Sequence, residues 1–368
     1  MFGAGDAAEK RFIREALLAL GSDRPGLQDA AGSVRRWDRV LAIATAGSVA
    51  ESIWSSVCLR GLEGEIPEPI RTAFQDAHAS AIARNALLLS EGAEVQAAFT
   101  AAGIESVILK GPGLLVAHYP DIGARHVADL DILVRRGEVA RAEDVARGIG
   151  ARDFEHRPVP YGKEDHIQER GLLHAPALYT KRDVVLEIHY RVPGRTGNVT
   201  DPEFVFARSR SVVWNGRTLR IPSAADLGSI ACLHAFDGHV GESRILLRHL
   251  ADLAVVIGTG AASWDEVVAS TTAGEGAVAL AESIRMFDTG SPDRFQVWRH
   301  AVALRTVYWM RLFAGAGTSS SAIWRIVLPS RQYMAAAHGL APESKLLPLF
   351  YLWRPIRGLW ALTTGRWR

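Results

Sequence analysis

Cysteine is almost absent: Cys58 and Cys232 are the two in 368 residues. Two thiols cannot build the dense disulfide scaffold of a small secreted domain. Both lie in apolar, helical-looking runs, so buried thiols in a reducing compartment are expected. Long apolar runs are missing too. None reaches the ~20 residues of a membrane-spanning helix, and the opening MFGAGDAAEKRF lacks the basic-then-apolar pattern of a signal peptide. A cytoplasmic location is the resulting expectation. Charge of one sign is also scarce, with a formal net charge of +2. That balance, with no long basic stripe, argues against a nucleic-acid partner. What remains is 48% hydrophobic and 22% charged, the composition of a globular protein. Its length suits two or three domains.

The stretch richest in chemistry is VILKGPGLLVAHYPDIGARHVADLDILV, from Val107 to Val134. It reads as strand (Ser106 to Leu109), glycine turn, short helix (Gly113 to Tyr119, with Pro112 near its start), loop and strand (Asp129 to Val134). Strand side chains alternate, so Asp129 and Asp131 share a face while Leu130, Ile132 and Val134 enter a core. Two adjacent carboxylates repel and resist burial. A divalent cation is the simplest means of removing that conflict. Lys110-Gly111-Pro112-Gly113 sits where strand passes to helix. Bare backbone at a helix N-terminus beside a lysine suits a phosphate. Metal-binding carboxylates near a phosphate turn point to phosphoryl or nucleotidyl transfer.

Around this core the pattern is mostly helical. Glu9 to Phe99 has apolar residues at helical spacing, ending in a long alanine-rich helix, about Ile70 to Ala102, expected to lie along the sheet. Arg84, Asn85 and Glu91 could reach the site from it, although a solvated or capping role is the expectation. Gly137 to Gly148 reads as an amphipathic helix. Ala151 to Gly171 is polar, with His156, Lys163, Glu164, Asp165 and His166, and reads as a solvated loop or a lid. Leu172 to Tyr179 and Val184 to Val192 form a hairpin around Lys181-Arg182-Asp183. In the second strand Val185, Glu187, His189 and Arg191 share a face. Asn215-Gly216 marks another hairpin, and Ser223-Ala224-Ala225-Asp226 a helix N-cap.

Two helices follow within Ala225 to Gly258, bearing His234, His239, His249 and Asp252. His234 and His239 point roughly 140° apart on an ideal helix, which disfavours a pair of metal ligands; second-shell or packing roles fit better. Arg244 and Arg248 lie on one helical face and could meet phosphate or a carboxylate. Trp298, Tyr308, Trp309 and Phe313 read as core anchors, and Gly315 to Ser321 as a flexible connection. The tail mixes Trp353, Trp360 and Trp367 with Arg354, Arg357, Arg366 and Arg368. Docking on the protein's own body is the preferred reading, with peripheral membrane contact the lesser one.

Leu109-Lys110-Gly111, Tyr119-Pro120, Gly123-Ala124-Arg125 and Asp129-Leu130-Asp131 together resemble the bacterial "nucleotidyltransferase family protein" branch of the DNA polymerase β-like superfamily. Glu187-Ile188-His189 and Leu328-Pro329-Ser330-Arg331 extend the likeness more weakly. The better-known superfamily turn is Gly-Ser; here it is Lys-Gly. The resemblance implies an α+β fold, a small mixed β-sheet nucleotidyltransferase core (103–222) flanked by N-terminal (1–102) and C-terminal (223–368) helical regions. It implies Asp129, Asp131 and Glu187 as catalytic residues and ligands of Mg2+ or Mn2+. Lys110, Gly111, Gly113 and Arg125 would bind phosphate. His189, His234, Arg244, Arg248 and Asp252 would support the metal or acceptor side. The donor expected is an NTP or a nucleotide sugar, and the acceptor a small molecule, modified peptide or protein. A non-catalytic nucleotide-binding scaffold is the alternative in another class.

Overall fold

The computed structural model describes residues 7–153, 174–192, 202–237, 246–270, 344–351 and 353. The expectations for the loop beyond Asp153, for His239 and Arg244, for Trp298 to Arg331 and for the tail beyond Trp353 lie outside them. Helices α1 (Ala7–Leu18), α2 (Gly26–Ser33), α3 (Trp37–Ala46), α4 (Ala50–Leu59) and the 34-residue α5 (Glu68–Ala101) form the first layer. Next come β1 (Ser106–Ile108), α6 (Lys110–Ala117), β2 (Asp129–Val134), α7 (Val139–Gly148), β3 (Arg152–Asp153), β4 (Leu178–Tyr179) and β5 (Val185–His189). Then follow α8 (Pro202–Arg208), β6 (Arg210–Trp214), β7 (Arg217–Ile221), α9 (Ala224–Asp237), α10 (Leu246–Gly258) and α11 (Trp264–Ala269). No described helix is long and apolar enough to cross a membrane.

The five-stranded sheet runs β1-β2-β5-β4-β3. β2 and β5 are parallel and the other pairings antiparallel, so the sheet is mixed and the fold is α+β. Leu130, Ile132, Leu186 and Ile188 are fully buried on the face that joins the main core. The opposite face begins with carboxylates and ends apolar, where Val107, Leu109 and Leu133 meet Val205, Phe206 and Ile230 in a second, smaller core.

α5 braces this sheet from β1 to the turn between β4 and β5. It stops in a glycine cap: Gly103 is left-handed at φ 71, and the Ile104 N–H reaches back to the Phe99 carbonyl at 2.8 Å. β1 follows at once. Gln96 donates to the carbonyls of Ser106 and Arg220 and accepts from the Arg220 N–H, joining β1 to β7. Glu91 and Glu94 pair with Arg182 and Lys181 in the β4–β5 turn. Asn85 and Glu91 are thus buried struts rather than the solvated groups expected. Arg84 meets His126 at the surface, as exposure had suggested.

Local turn chemistry behaves as read. Asn215 and Gly216 are both left-handed, at φ 48 and 72, closing β6 onto β7. Ser223 Oγ accepts from the Asp226 N–H at 3.1 Å and caps α9. Other boundaries move. α6 begins at Lys110 instead of Gly113, because Lys110 itself takes the left-handed turn at φ 52. The expected strand before Tyr179 shrinks to Leu178–Tyr179 plus a one-residue bridge at His174. Neither cysteine is in a disulfide; Cys232 is buried, but Cys58 is exposed, lying at the outer end of α4. The first and last helical layers meet through bare backbone: a β-carbon on Gly21 would sit 2.1 Å from the Ala254 carbonyl oxygen.

Candidate active site

Parallel pairing of β2 with β5 puts Asp131 beside Glu187, and Leu133 beside His189. Asp131 is fully buried. Its Oδ1 accepts from Lys110 Nζ at 2.6 Å and lies 2.7 Å from His189 Nε2. Lys110, left-handed at φ 52, follows β1 with only Leu109 between, and its ammonium reaches Asp131 on the neighbouring β2. Glu187 Oε2 stands 3.4 Å from the same His189 nitrogen. Asp129, one pleat earlier, is half-buried and pairs in register with Val185.

These groups set one another's ionisation. Burial opposes charge on Asp131, but the Lys110 ammonium and the His189 hydrogen bond outweigh it and hold the carboxyl well below its usual range. Glu187 is likewise lowered: burial resists, while the His189 hydrogen bond and the nearby His174 imidazole prevail. For Lys110 burial pulls down, yet Asp131, Asp129 and Glu187 together keep it raised. For Asp129 the compensation from Lys110 and Arg248 falls short. Burial and the neighbouring Asp131 push it up to about 6.

Oδ2 of Asp131 is buried with no hydrogen-bond partner among the described residues. Leaving such an oxygen unsatisfied is costly, and here it sits in a group already rich in negative charge. Ligand atoms of Asp131, Glu187 and His189 lie within 4.8 Å of one another. A carboxylate pair with one orphaned oxygen, supported by imidazole, is a set of groups that fits a divalent cation. His189, read from sequence as supporting the metal or acceptor side, stands in the centre of this group. His174 was not singled out at all. Its bridge to His189 makes it a neighbour, and the signal available was a histidine in the strand expected to pair with Glu187-Ile188-His189.

A second buried cluster lies behind the turn. Arg125 donates from Nε to Asp252 Oδ1 at 2.7 Å and from Nη2 to Oδ2 at 2.9 Å. Tyr119 adds a 2.7 Å bond to Oδ1, and His249 Nδ1 lies 3.6 Å from Oδ2. Burial opposes the charge on Asp252, but Arg125 holds it far below the ordinary carboxylate range. The third arm of Arg125 meets the His126 carbonyl at 3.1 Å. The guanidinium passes over Gly111, where a β-carbon would fall 2.3 Å from Nη1. Gly113 packs against the Ile108 carbonyl and Leu227. Both glycines therefore serve close packing around the turn. His234 is half-buried, its ring 5.1 Å from that of His249.

Arg248, one helical turn before Asp252, is different. Its Nε is buried with no hydrogen-bond partner among the described residues. Burial and the nearby Arg125 lower its affinity for a proton, while Asp252 and Asp129 act the other way. Arg248 thus stands within electrostatic range of Asp129, with its Nε unbonded among the described residues.

The loop between α6 and β2 is fixed from the first helical layer. Asn85 donates to the Ile122 and Arg125 carbonyls at 2.6 and 2.8 Å. Ser52 donates to the Ala124 carbonyl at 2.7 Å, and Ser55 and His78 hold the Asp121 carboxylate. An open cleft of about 1210 Å³ lies elsewhere, between α5 and the β6–β7 hairpin, and shares no residue with the Asp131 cluster.

A family model described as an uncharacterised nucleotidyltransferase matches residues 33–288, more than half of the chain. The chain belongs to this nucleotidyltransferase family. No curated protein matches it. The match spans α3 to α11, so the bracing helices α4 and α5, the turn at Lys110, the Asp131 group and the Asp252 cluster all fall within the nucleotidyltransferase region.

Proposed function

We propose that the protein is a metal-dependent nucleotidyltransferase that moves a nucleoside monophosphate from an NTP to an acceptor hydroxyl or phosphate. The observation that carries this is Asp131, a buried carboxylate with one oxygen tied to Lys110 and His189 and the other left open. Asp131 and Glu187, with Asp129 at the mouth, would hold Mg2+ or Mn2+ by the oxygens these ions favour. Such an ion neutralises charge on the transferred phosphate and on the leaving pyrophosphate. Lys110 and Arg248 supply the protein's own positive charge toward the donor's phosphates. Arg248 takes the part that the sequence pattern gave to Arg125, whose three nitrogens each already donate to Asp252 or His126. Glu187, the more accessible of the paired carboxylates, is positioned to accept the acceptor's proton. The acceptor is a small molecule, a modified peptide or a protein.

The test is calorimetric titration of ATP, GTP, CTP, UTP and nucleotide sugars, with and without Mg2+, into wild type and Asp131→Asn. Metal-dependent binding of an NTP, lost in the variant, is expected, with pyrophosphate released once an acceptor is supplied. Equal binding by both proteins, or none by folded wild type, overturns the reading.

A further inference from the structure

We propose that His174 is a metal ligand that shares a cation with Glu187, and that its imidazole turns the centre toward nitrogen-accepting ions of the Co2+ and Zn2+ class. This rests on reading the Asp131 group as a metal centre. His174 precedes β4 and is joined to His189 by a single antiparallel bridge. That pairing brings its ring to 5.0 Å from the His189 ring, and its Nε2 to 3.7 Å from Glu187 Oε2.

The other ring nitrogen decides the chemistry. Nδ1 lies 2.7 Å from the Ala175 carbonyl oxygen. A carbonyl can only accept, so Nδ1 carries the proton, and in the neutral ring Nε2 is a bare lone pair. At 3.7 Å from Glu187 Oε2, that lone pair is too far for a shared proton. Two electron-pair donors therefore stand side by side. Their spacing is close to the roughly 3.0–3.4 Å between ligand atoms each about 2.1 Å from one ion. A backbone carbonyl that fixes Nδ1–H and leaves Nε2 free is the usual outer support of a metal-binding histidine.

His189 is built differently. Its Nε2 faces Asp131 Oδ1 at hydrogen-bonding distance, and its buried Nδ1 has no partner among the described residues. A proton on Nε2 suits both facts, so His189 positions Asp131 while His174 is the imidazole left open. Carboxylates alone favour Mg2+; one imidazole moves the preference toward borderline transition ions. Glu187 belongs to both sets, standing 3.7 Å from His174 and grouping with Asp131 and His189 within 4.8 Å.

The experiment compares Co2+ and Mg2+ binding to the full chain by calorimetry, with the visible spectrum of the Co2+ protein, for wild type, His174→Ala and Asp131→Asn. His174→Ala is expected to weaken Co2+ by at least about tenfold, to leave Mg2+ within about threefold, and to alter the Co2+ bands. Unchanged Co2+ affinity and spectrum, or equal weakening of both ions, overturns the ligand role. A second readout needs no variant: proton NMR of wild-type Co2+ protein should show a far-shifted exchangeable imidazole N–H, and its absence also overturns the proposal. If folded wild type binds neither ion, the functional reading beneath it falls as well. If Mg2+ binding and its dependence on Asp131 persist while the His174 effects fail, only the present inference falls.

Discussion

Two buried aspartates, Asp131 and Asp252, sit in this protein with opposite degrees of completion. Each has a basic side chain and a histidine beside it, and each is held far below the usual carboxylate pKa after burial is overcome. Asp252 is saturated: Arg125 grips both oxygens and Tyr119 adds a third bond. Asp131 crowds Lys110 and His189 onto one oxygen and leaves the other bare. A saturated buried carboxylate joins parts of the structure; here it ties α10 to the loop before β2. An unsaturated one is kept at a cost, and that cost makes sense where a ligand completes it.

The contrast can be broken most severely at Asp131. Asp131→Asn should lower nucleotidyl transfer by roughly 10²–10³-fold, the scale of losing one preorganised charge-stabilising group, as measured by pyrophosphate release. Its stability should fall less than that of a variant at Asp252, since Lys110 keeps the charges of Asp129 and Glu187 nearby. Asp252→Asn should reverse the pattern. Breaking a buried ion pair costs about 3–5 kcal/mol, read as a lower urea midpoint.

Acidity sharpens this second effect. A depressed folded-state pKa makes Asp252 stabilising above the unfolded carboxylate value of about 3.9, and that stabilisation fades as pH falls below it. The gap between wild type and Asp252→Asn should therefore be constant near neutrality and shrink below about pH 4. Constancy through the acid range would show that the variant acts by shape and not by charge. Asn85→Ala, which removes two bonds to the same loop, should cost about 1–3 kcal/mol. The smallest effect is expected at Arg248→Gln: stability within about 0.5 kcal/mol, with NTP binding weakened about tenfold, or 1.4 kcal/mol. A large loss of stability there would place Arg248 with the saturated cluster.

How much of this was legible follows from range. The alternation that puts Asp129 and Asp131 on one face and Leu130 and Ile132 on the other is a property of adjacent residues, and the structure keeps it. So are the Asn215-Gly216 turn and the Ser223 cap. Lys110 illustrates the limit. A strand-to-helix passage was readable, but glycine was the natural choice for its left-handed residue, and the lysine takes that place. The Arg125–Asp252 pair joins residues 127 apart in the chain. Gly-Ala-Arg near two aspartates reads as phosphate chemistry until α10 is docked against it. Asn85 looked like a surface polar on an alanine-rich helix, because nothing nearby announces the carbonyls of Ile122 and Arg125. Cys58 failed in the other direction: an apolar run does not say which end of its helix meets solvent.

The order of the two letters Lys110-Gly111 carries more meaning than either residue alone. Lysine bears a β-carbon in a left-handed backbone at φ 52, at a cost of roughly 1–2 kcal/mol that glycine would escape. Glycine one step later leaves room for the Arg125 guanidinium. Exchanging them would relax the first position, drive a side chain into the second, and take the ammonium away from Asp131. A composition-preserving swap of neighbours would thus disconnect both buried aspartates at once. Handedness at a single peptide unit is what lets one turn serve the strand in front of it and the helix behind it.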